Sequence, residues 1–90
     1  MSTQTTSPTR IASLRALADP VRLALIDALV RQDACACELR KELALSAPLL
    51  SHHLKVLREA GLVSCVKVGR RVEVTLNRQA LARLAGSLAA

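Results

Sequence analysis

Residues 46–61, SAPLLSHHLKVLREAG, constrain this chain more than any other stretch, because the residue pattern changes period where they end. Residues on a helix advance by about 100° each, so Leu50, Leu54, Leu57 and Gly61 form one narrow stripe. Ser51, His52, Lys55 and Arg58 fall away from it, leaving an outer face that is polar, basic and rich in donors. Ser46 is suited to cap the start, and Pro48 fits a first turn that needs no backbone N–H. Gly61 is suited to close the helix in a left-handed conformation. Residues 62–68, LVSCVKV, are then rich in β-formers. Gly69 opens a turn with Arg70 and Arg71, and residues 72–76, VEVTL, alternate strictly, with Val72, Val74 and Leu76 on one face. A helix followed by a hairpin with a basic tip is the expected local structure. By itself the helix fits either a solvated amphipathic segment or a reader of the DNA major groove.

The rest of the chain supplies more helices. Residues 1–9, rich in Ser and Thr, read as a disordered tail. Residues 10–18 carry Ile11, Leu14, Leu17 and Ala18 at helical spacing, in a helix too short to be stable alone. Asp19-Pro20 is a start signal for a second helix running to about Arg31. Val21, Leu25, Ala28 and Leu29 form one apolar face of it, and Leu23, Ile26 and Val30 another, so burial between neighbours is expected. Asp33 is placed to cap a third helix over residues 34–44, and a short turn at 44–46 leads into the opening stretch. That pair makes a helix-turn-helix. Residues 77–88 begin with Asn77 as a cap and carry Leu81, Leu84, Ala85 and Leu88 as a stripe. The two terminal helices leave apolar faces with little chain to cover them. A two-fold dimer interface at Ile11, Leu14, Leu81, Leu84 and Leu88 is the economical solution. The expected fold is mainly α with a small β-hairpin: a dimeric winged helix-turn-helix in the order α-α-α-α-β-β-α, one domain over residues 10–90.

Composition narrows the function. The 90 residues include no Phe, Tyr or Trp, which counts against folds that stack single-stranded bases on aromatic rings. Thirteen Lys and Arg against seven Asp and Glu give a net charge of +6 and point to an anionic partner. Double-stranded DNA fits better than a membrane. No apolar run approaches the roughly 20 residues needed to span a bilayer, and the polar N-terminus has no signal-peptide core. A cytoplasmic setting is expected, where the three cysteines are thiols and not a disulfide framework. No nucleophile–base pair or metal-ligand triad can be placed, so an enzyme is not expected.

Three segments resemble the ArsR/SmtB family of metal-responsive repressors: LADPVRLALIDAL (17–29), LSAPLLSHHLKVLREAGLV (45–63) and GRRVEVTL (69–76). The resemblance implies a winged-helix dimer that binds operator DNA when metal-free and releases it on binding metal. It further implies DNA contacts from Ser46, Ala47, Pro48, Leu49, Ser51, His52, His53 and Lys55, with Arg70 and Arg71 reaching backbone phosphates from the wing. An inverted repeat with half-sites about 10 bp apart is the matching operator. There are departures: Val72, Glu73 and Val74 stand where the family's hairpin carries aromatics. The last helix lacks the His and acidic residues of the family's other metal site.

Cys35-Ala36-Cys37-Glu38-Leu39 resembles the family's CxC(D/E)L element. Thiolates select soft ions, with As(III) the first choice ahead of Cd(II), Pb(II) or Zn(II). Cys35 is expected within the first helical turn, where the helix dipole favours its thiolate. Residues i and i+2 lie about 200° apart on a helix, so one ion held by both sulfurs is expected to unwind the helix start. Arg40 occupies the position where arsenite-sensing members often have a third cysteine. Cys65, in the first hairpin strand, is a doubtful third ligand, and water or an exogenous thiol is the alternative. A thiol redox or persulfide switch on the same fold is the rival reading. His52 and His53 do not share a helix face and cannot chelate one ion together. His52 points outward and suits DNA contact, whereas His53 lies at the edge of the apolar stripe, where it either packs or touches backbone phosphate.

Overall fold

A computed structural model describes residues 8–89. The elements run α1 (Pro8–Leu17), α2 (Pro20–Arg31), β1 (Ala34–Cys35), α3 (Ala36–Leu43), α4 (Ala47–Glu59), β2 (Val63–Val68), β3 (Arg71–Leu76) and α5 (Arg78–Ala89). The core is built from Leu25, Leu29, Leu39, Leu57, Leu62 and Val74, all at most 1% exposed. The winged helix-turn-helix is present, with α3 and α4 as its helical pair and β2–β3 as the wing. Among the described residues no helix is long and apolar enough to cross a membrane.

The local signals explain most boundaries. Asp19 accepts from the N–H groups of Val21 and Arg22 at 2.9 and 3.0 Å, and Pro20 opens α2. Ser46 accepts from the Leu49 N–H at 3.2 Å at the start of α4. Gly61, at φ 76°, follows α4 in the left-handed region that a Cβ disfavours. Asn77 caps α5 by accepting from the Ala80 N–H at 3.1 Å, and its amide donates to the Gly61 carbonyl at 3.0 Å. Arg78 donates to the carbonyls of Leu29 and Val30, the orphan acceptors at the end of α2.

Several expectations are corrected. The expected disordered tail lies outside the described residues at 1–7, while Pro8 and Thr9 already belong to α1. Proline tolerates that first-turn position because no N–H is needed there. The α1 residues turned inward are Ser13 and Ala16, and the Ser13 hydroxyl donates to the Ala60 carbonyl at 3.4 Å. On α2, Leu23 and Val30 remain exposed, so this helix buries one face within the protomer, not two. Leu84 is already buried in its own subunit and Leu81 packs half-buried against the core. Of the expected dimer-interface residues, Ile11 and Leu88 are exposed and Leu14 is half-buried.

The sheet has three strands in the order β1-β3-β2, not a hairpin alone. Ala34 and Cys35 pair with Val74 and Glu73, and Cys65 and Val66 pair with the same two residues from the other side. Residues opposite one another project to one face, so the row Ala34–Val74–Cys65 faces the core. The row Cys35–Glu73–Val66 faces the other way. Val68 pairs with Arg71, so the turn is Gly69-Arg70 alone. Gly69, at φ 62°, supplies the positive first position of a tight hairpin loop. Arg71 is thereby a strand residue on the Cys35–Glu73 face and not part of the tip.

Candidate DNA-binding face and dithiol site

Helix α4 turns Leu50, His53, Leu54 and Leu57 inward. The opposite surface exposes Ser46, Ala47, Pro48, Leu49, Ser51, His52 and Lys55. Those positions lie at the exposed start and along the solvent side of the second helix of a helix-turn-helix, the placement a major-groove reader needs. Arg70 is exposed at the wing tip.

His53 is the exception among the expected DNA contacts. It is 7% exposed, so it cannot reach a base or a phosphate. Arg22 donates to His53 Nδ1 at 3.2 Å through Nη1 and to the Ala16 carbonyl at 2.6 Å through Nε. Nδ1 therefore accepts, and the neutral ring carries its proton on Nε2. Burial pushes the His53 pKa down, the Asp19 carboxylate 3.9 Å away opposes this, and Arg22 and His52 add to it. The histidine locks α4 to the α1–α2 elbow. An unfolded chain takes up this proton near pH 6.5 and the folded chain only at lower pH. The stability His53 contributes is therefore held above pH 6.5 and lost as pH falls through its folded value. Asp19 and Glu38, both held below the usual carboxylate range by backbone N–H groups, act in a lower window. Urea midpoints are expected to fall between pH 7 and pH 5 in the wild type, and much less in His53→Gln.

The dithiol differs from its expected geometry. Cys35 is not in the first turn of a helix over 34–44; it ends β1 and stands as the N-cap of α3 at φ −83°, ψ 158°. Asp33 lies before the strand and does not cap. The Cys35 N–H donates to the Glu38 carboxylate at 2.8 Å, and the Glu38 N–H returns to the Cys35 side chain, a reciprocal capping box built on sulfur. Because Cys35 is extended and only Cys37 is helical, the two thiols lie near enough to influence each other without any unwinding of the helix. The neighbouring Cys37 thiol, followed by burial, raises the Cys35 pKa, opposite to the dipole effect expected from sequence. Cys35 is 1% exposed and Cys37 is exposed.

Arg71 lies near enough to Cys35 for the two to interact electrostatically. It also pairs with Glu73 at 3.1 Å, and Glu73 is the main reason its guanidinium pKa is raised. Sequence reasoning placed Arg71 at the wing tip; the pairing of Val68 with Arg71 places it over the dithiol instead. Cys65 is on the other sheet face from Cys35 and one strand further away. It lines a cleft with Cys37, but among the described residues no cluster of three or more His, Cys, Asp or Glu side chains is placed to hold a metal ion.

The family model for bacterial regulatory proteins of the arsR family matches residues 19–64, from the Asp19 cap through the helix-turn-helix to the first residues of the wing. The chain belongs to the arsR family. Over 61 residues it is 46% identical to a transcriptional repressor SmtB homolog of Synechocystis sp., covering 68% of this chain and 46% of that protein. Over 68 residues it is 40% identical to the arsenical resistance operon repressor of Staphylococcus xylosus, covering 76% of this chain and 65% of that one. The chain thus spans about half to two thirds of the length of these curated relatives. Among solved structures, HlyU from Vibrio cholerae superposes with a TM-score of 0.79 at 31% identity, covering 91% of this chain and 90% of HlyU. The arsR family is one of transcriptional regulators and not of enzymes.

Proposed function

We propose that this arsR-family chain is a transcriptional repressor that binds operator DNA as a homodimer and is released by a thiophilic inducer, with As(III) first among them. One observation carries the inducer assignment. Cys35 and Cys37 bring two thiols together at the start of the first helix of the helix-turn-helix. Two adjacent soft donors suit a thiophilic ion, and Cd(II), Pb(II) or Zn(II) are the other candidates. The S. xylosus relative, an arsenical resistance operon repressor, supports the choice of As(III). Exposed Ile11 and Leu88, on the two terminal helices, support the homodimer.

Inducer capture at this pair acts on two elements that DNA binding uses. Drawing the Cys35 sulfur away from the Glu38 N–H weakens the cap of α3, the partner helix of α4. A metalloid seated on the two sulfurs also crowds Arg71, one of the two wing arginines, which lies beside Cys35. A coupling of about 1–3 kcal/mol through these contacts lowers DNA affinity about 5- to 150-fold. The test is a mobility shift on the chain's own promoter in excess competitor DNA, with arsenite titrated under strictly reducing conditions. Release of the DNA supports the reading. DNA that stays bound sinks the metalloid assignment and leaves thiol oxidation as the switch.

Glu73 restrains the wing. Its carboxylate holds the exposed Arg71 guanidinium on the Cys35–Glu73 face, from which Arg71 would have to swing out to meet a phosphate. The Glu73→Gln variant is expected to bind operator several-fold more tightly at low salt. Its log affinity should fall more steeply with log salt, by about one extra phosphate contact. Fluorescence anisotropy across a salt series checks both effects.

A further inference from the structure

A cleft of about 440 Å³ opens between α3, α4 and the wing. Cys37 and Cys65 lie on its wall together with four arginines, Arg40, Arg58, Arg70 and Arg71. Its floor is apolar, from Leu50, Leu54 and Val72. Positive charge is thus gathered around an exposed thiol over a hydrophobic base. The dithiol next to it supplies two sulfurs, whereas trivalent arsenic bonds three ligands. Arg40, one helical turn beyond Cys37, is a cation and cannot be the third.

We propose that this cleft seats a small carboxylate-bearing thiol, which completes the coordination of a metalloid held by Cys35 and Cys37. The inference rests on the dithiol reading above and names the ligand that reading leaves open. The exchange conserves oxidation state. Arsenous acid, As(OH)3, loses two hydroxyls as the Cys35 and Cys37 thiols each pass a proton to a departing oxygen. Two As–O bonds break, two As–S bonds form and two waters leave. The incoming thiol displaces the third hydroxyl in the same way, releasing a third water, and arsenic remains As(III) throughout. Arg40, Arg58 and Arg70 hold the carboxylates of that thiol by charge-assisted hydrogen bonds, Arg71 being already paired with Glu73, and the apolar floor takes its backbone methylenes. Such a ligand occupies the space between α4 and the wing and neutralises Arg70, which would otherwise face a phosphate. A bulkier, more anionic thiol is thereby a better co-inducer than a neutral one.

The experiment uses the full chain, reduced with a phosphine, incubated with arsenite and either glutathione or glutathione diethyl ester, and read by native mass spectrometry. The expected result is a protein–As(III)–glutathione complex with one of each component. Glutathione should be retained about tenfold more tightly than its ester, the effect of one or two charge-assisted hydrogen bonds. In an Arg40→Gln, Arg58→Gln variant this preference should fall about tenfold, while arsenite binding without added thiol stays as in the wild type and shows the fold intact. Arsenite bound with no thiol retained, or with both thiols retained equally, overturns the cleft assignment alone. Absence of arsenite binding overturns the dithiol reading and the cleft assignment with it. The matched thiol pair decides the question on the unmodified protein if the variant fails to fold.

Discussion

Cys37→Ser is expected to bind operator DNA with nearly wild-type affinity and to stay bound when arsenite is added. The wild type should lose affinity about 5- to 150-fold under the same conditions, so the variant removes the whole response. The reason is local. Cys37 is exposed at the start of α3, away from the core, and its loss leaves the leucine packing untouched. It does remove one of the two sulfurs that meet there. Cys35→Ser should behave alike, although Cys35 is buried. A serine hydroxyl accepts the Glu38 N–H as readily as sulfur does, and Ser at the cap with Glu three residues on is a favoured capping box. The variant therefore keeps the start of α3 while losing the soft donor. Cys65→Ser serves as the control and should still respond. Anisotropy titrations of labelled operator with and without arsenite measure all three. If Cys35→Ser and Cys37→Ser both still release DNA, the inducer site is elsewhere on the chain.

The sequence revealed elements whose signals are local. Asp19-Pro20, Ser46 and Asn77 mark the starts of α2, α4 and α5 because each cap bonds to N–H groups two or three residues away. The period change at Gly61 marked the wing for the same reason. The strand β1 left no such trace. Ala34 and Cys35 become a strand only because Val74 and Glu73 lie beside them, some 40 residues further on. That pairing pulled Cys35 out of the helix and reversed both expectations about its thiol, the lowered pKa and the opposed sulfurs. The candidate site was legible as a motif and illegible as a geometry. Arg71 shows the same limit. Whether a residue belongs to a turn or to the following strand depends on register, and one position of register decides which sheet face it takes.

The Arg22→Met variant is expected to lose about 2–4 kcal/mol of stability, because two acceptors are left unpaired by one change. Nothing in the pattern of α2 singles out Arg22, whose neighbours Val21 and Leu23 look equally informative in the sequence. In the structure its guanidinium joins three segments. Nε donates to the Ala16 carbonyl in the last turn of α1, and Nη1 donates to His53 Nδ1 on α4. Methionine keeps much of the stem's contact area and removes both donors, so packing loss does not dominate the measurement. Each buried acceptor left without a partner costs about 1–3 kcal/mol. Arg22→Lys should recover little, since a single ammonium cannot reach both acceptors with the geometry of a planar fork. Urea denaturation at pH 7.5, where His53 is neutral, measures the effect. The consequence reaches past stability, because His53 and the residues proposed to face the groove share one helix. Loosening the Arg22–His53 contact loosens the seat of Ser51, His52 and Lys55. Operator affinity at temperatures well below unfolding should accordingly fall in Arg22→Met, and an affinity equal to wild type would show that α4 is held in place by its leucines alone.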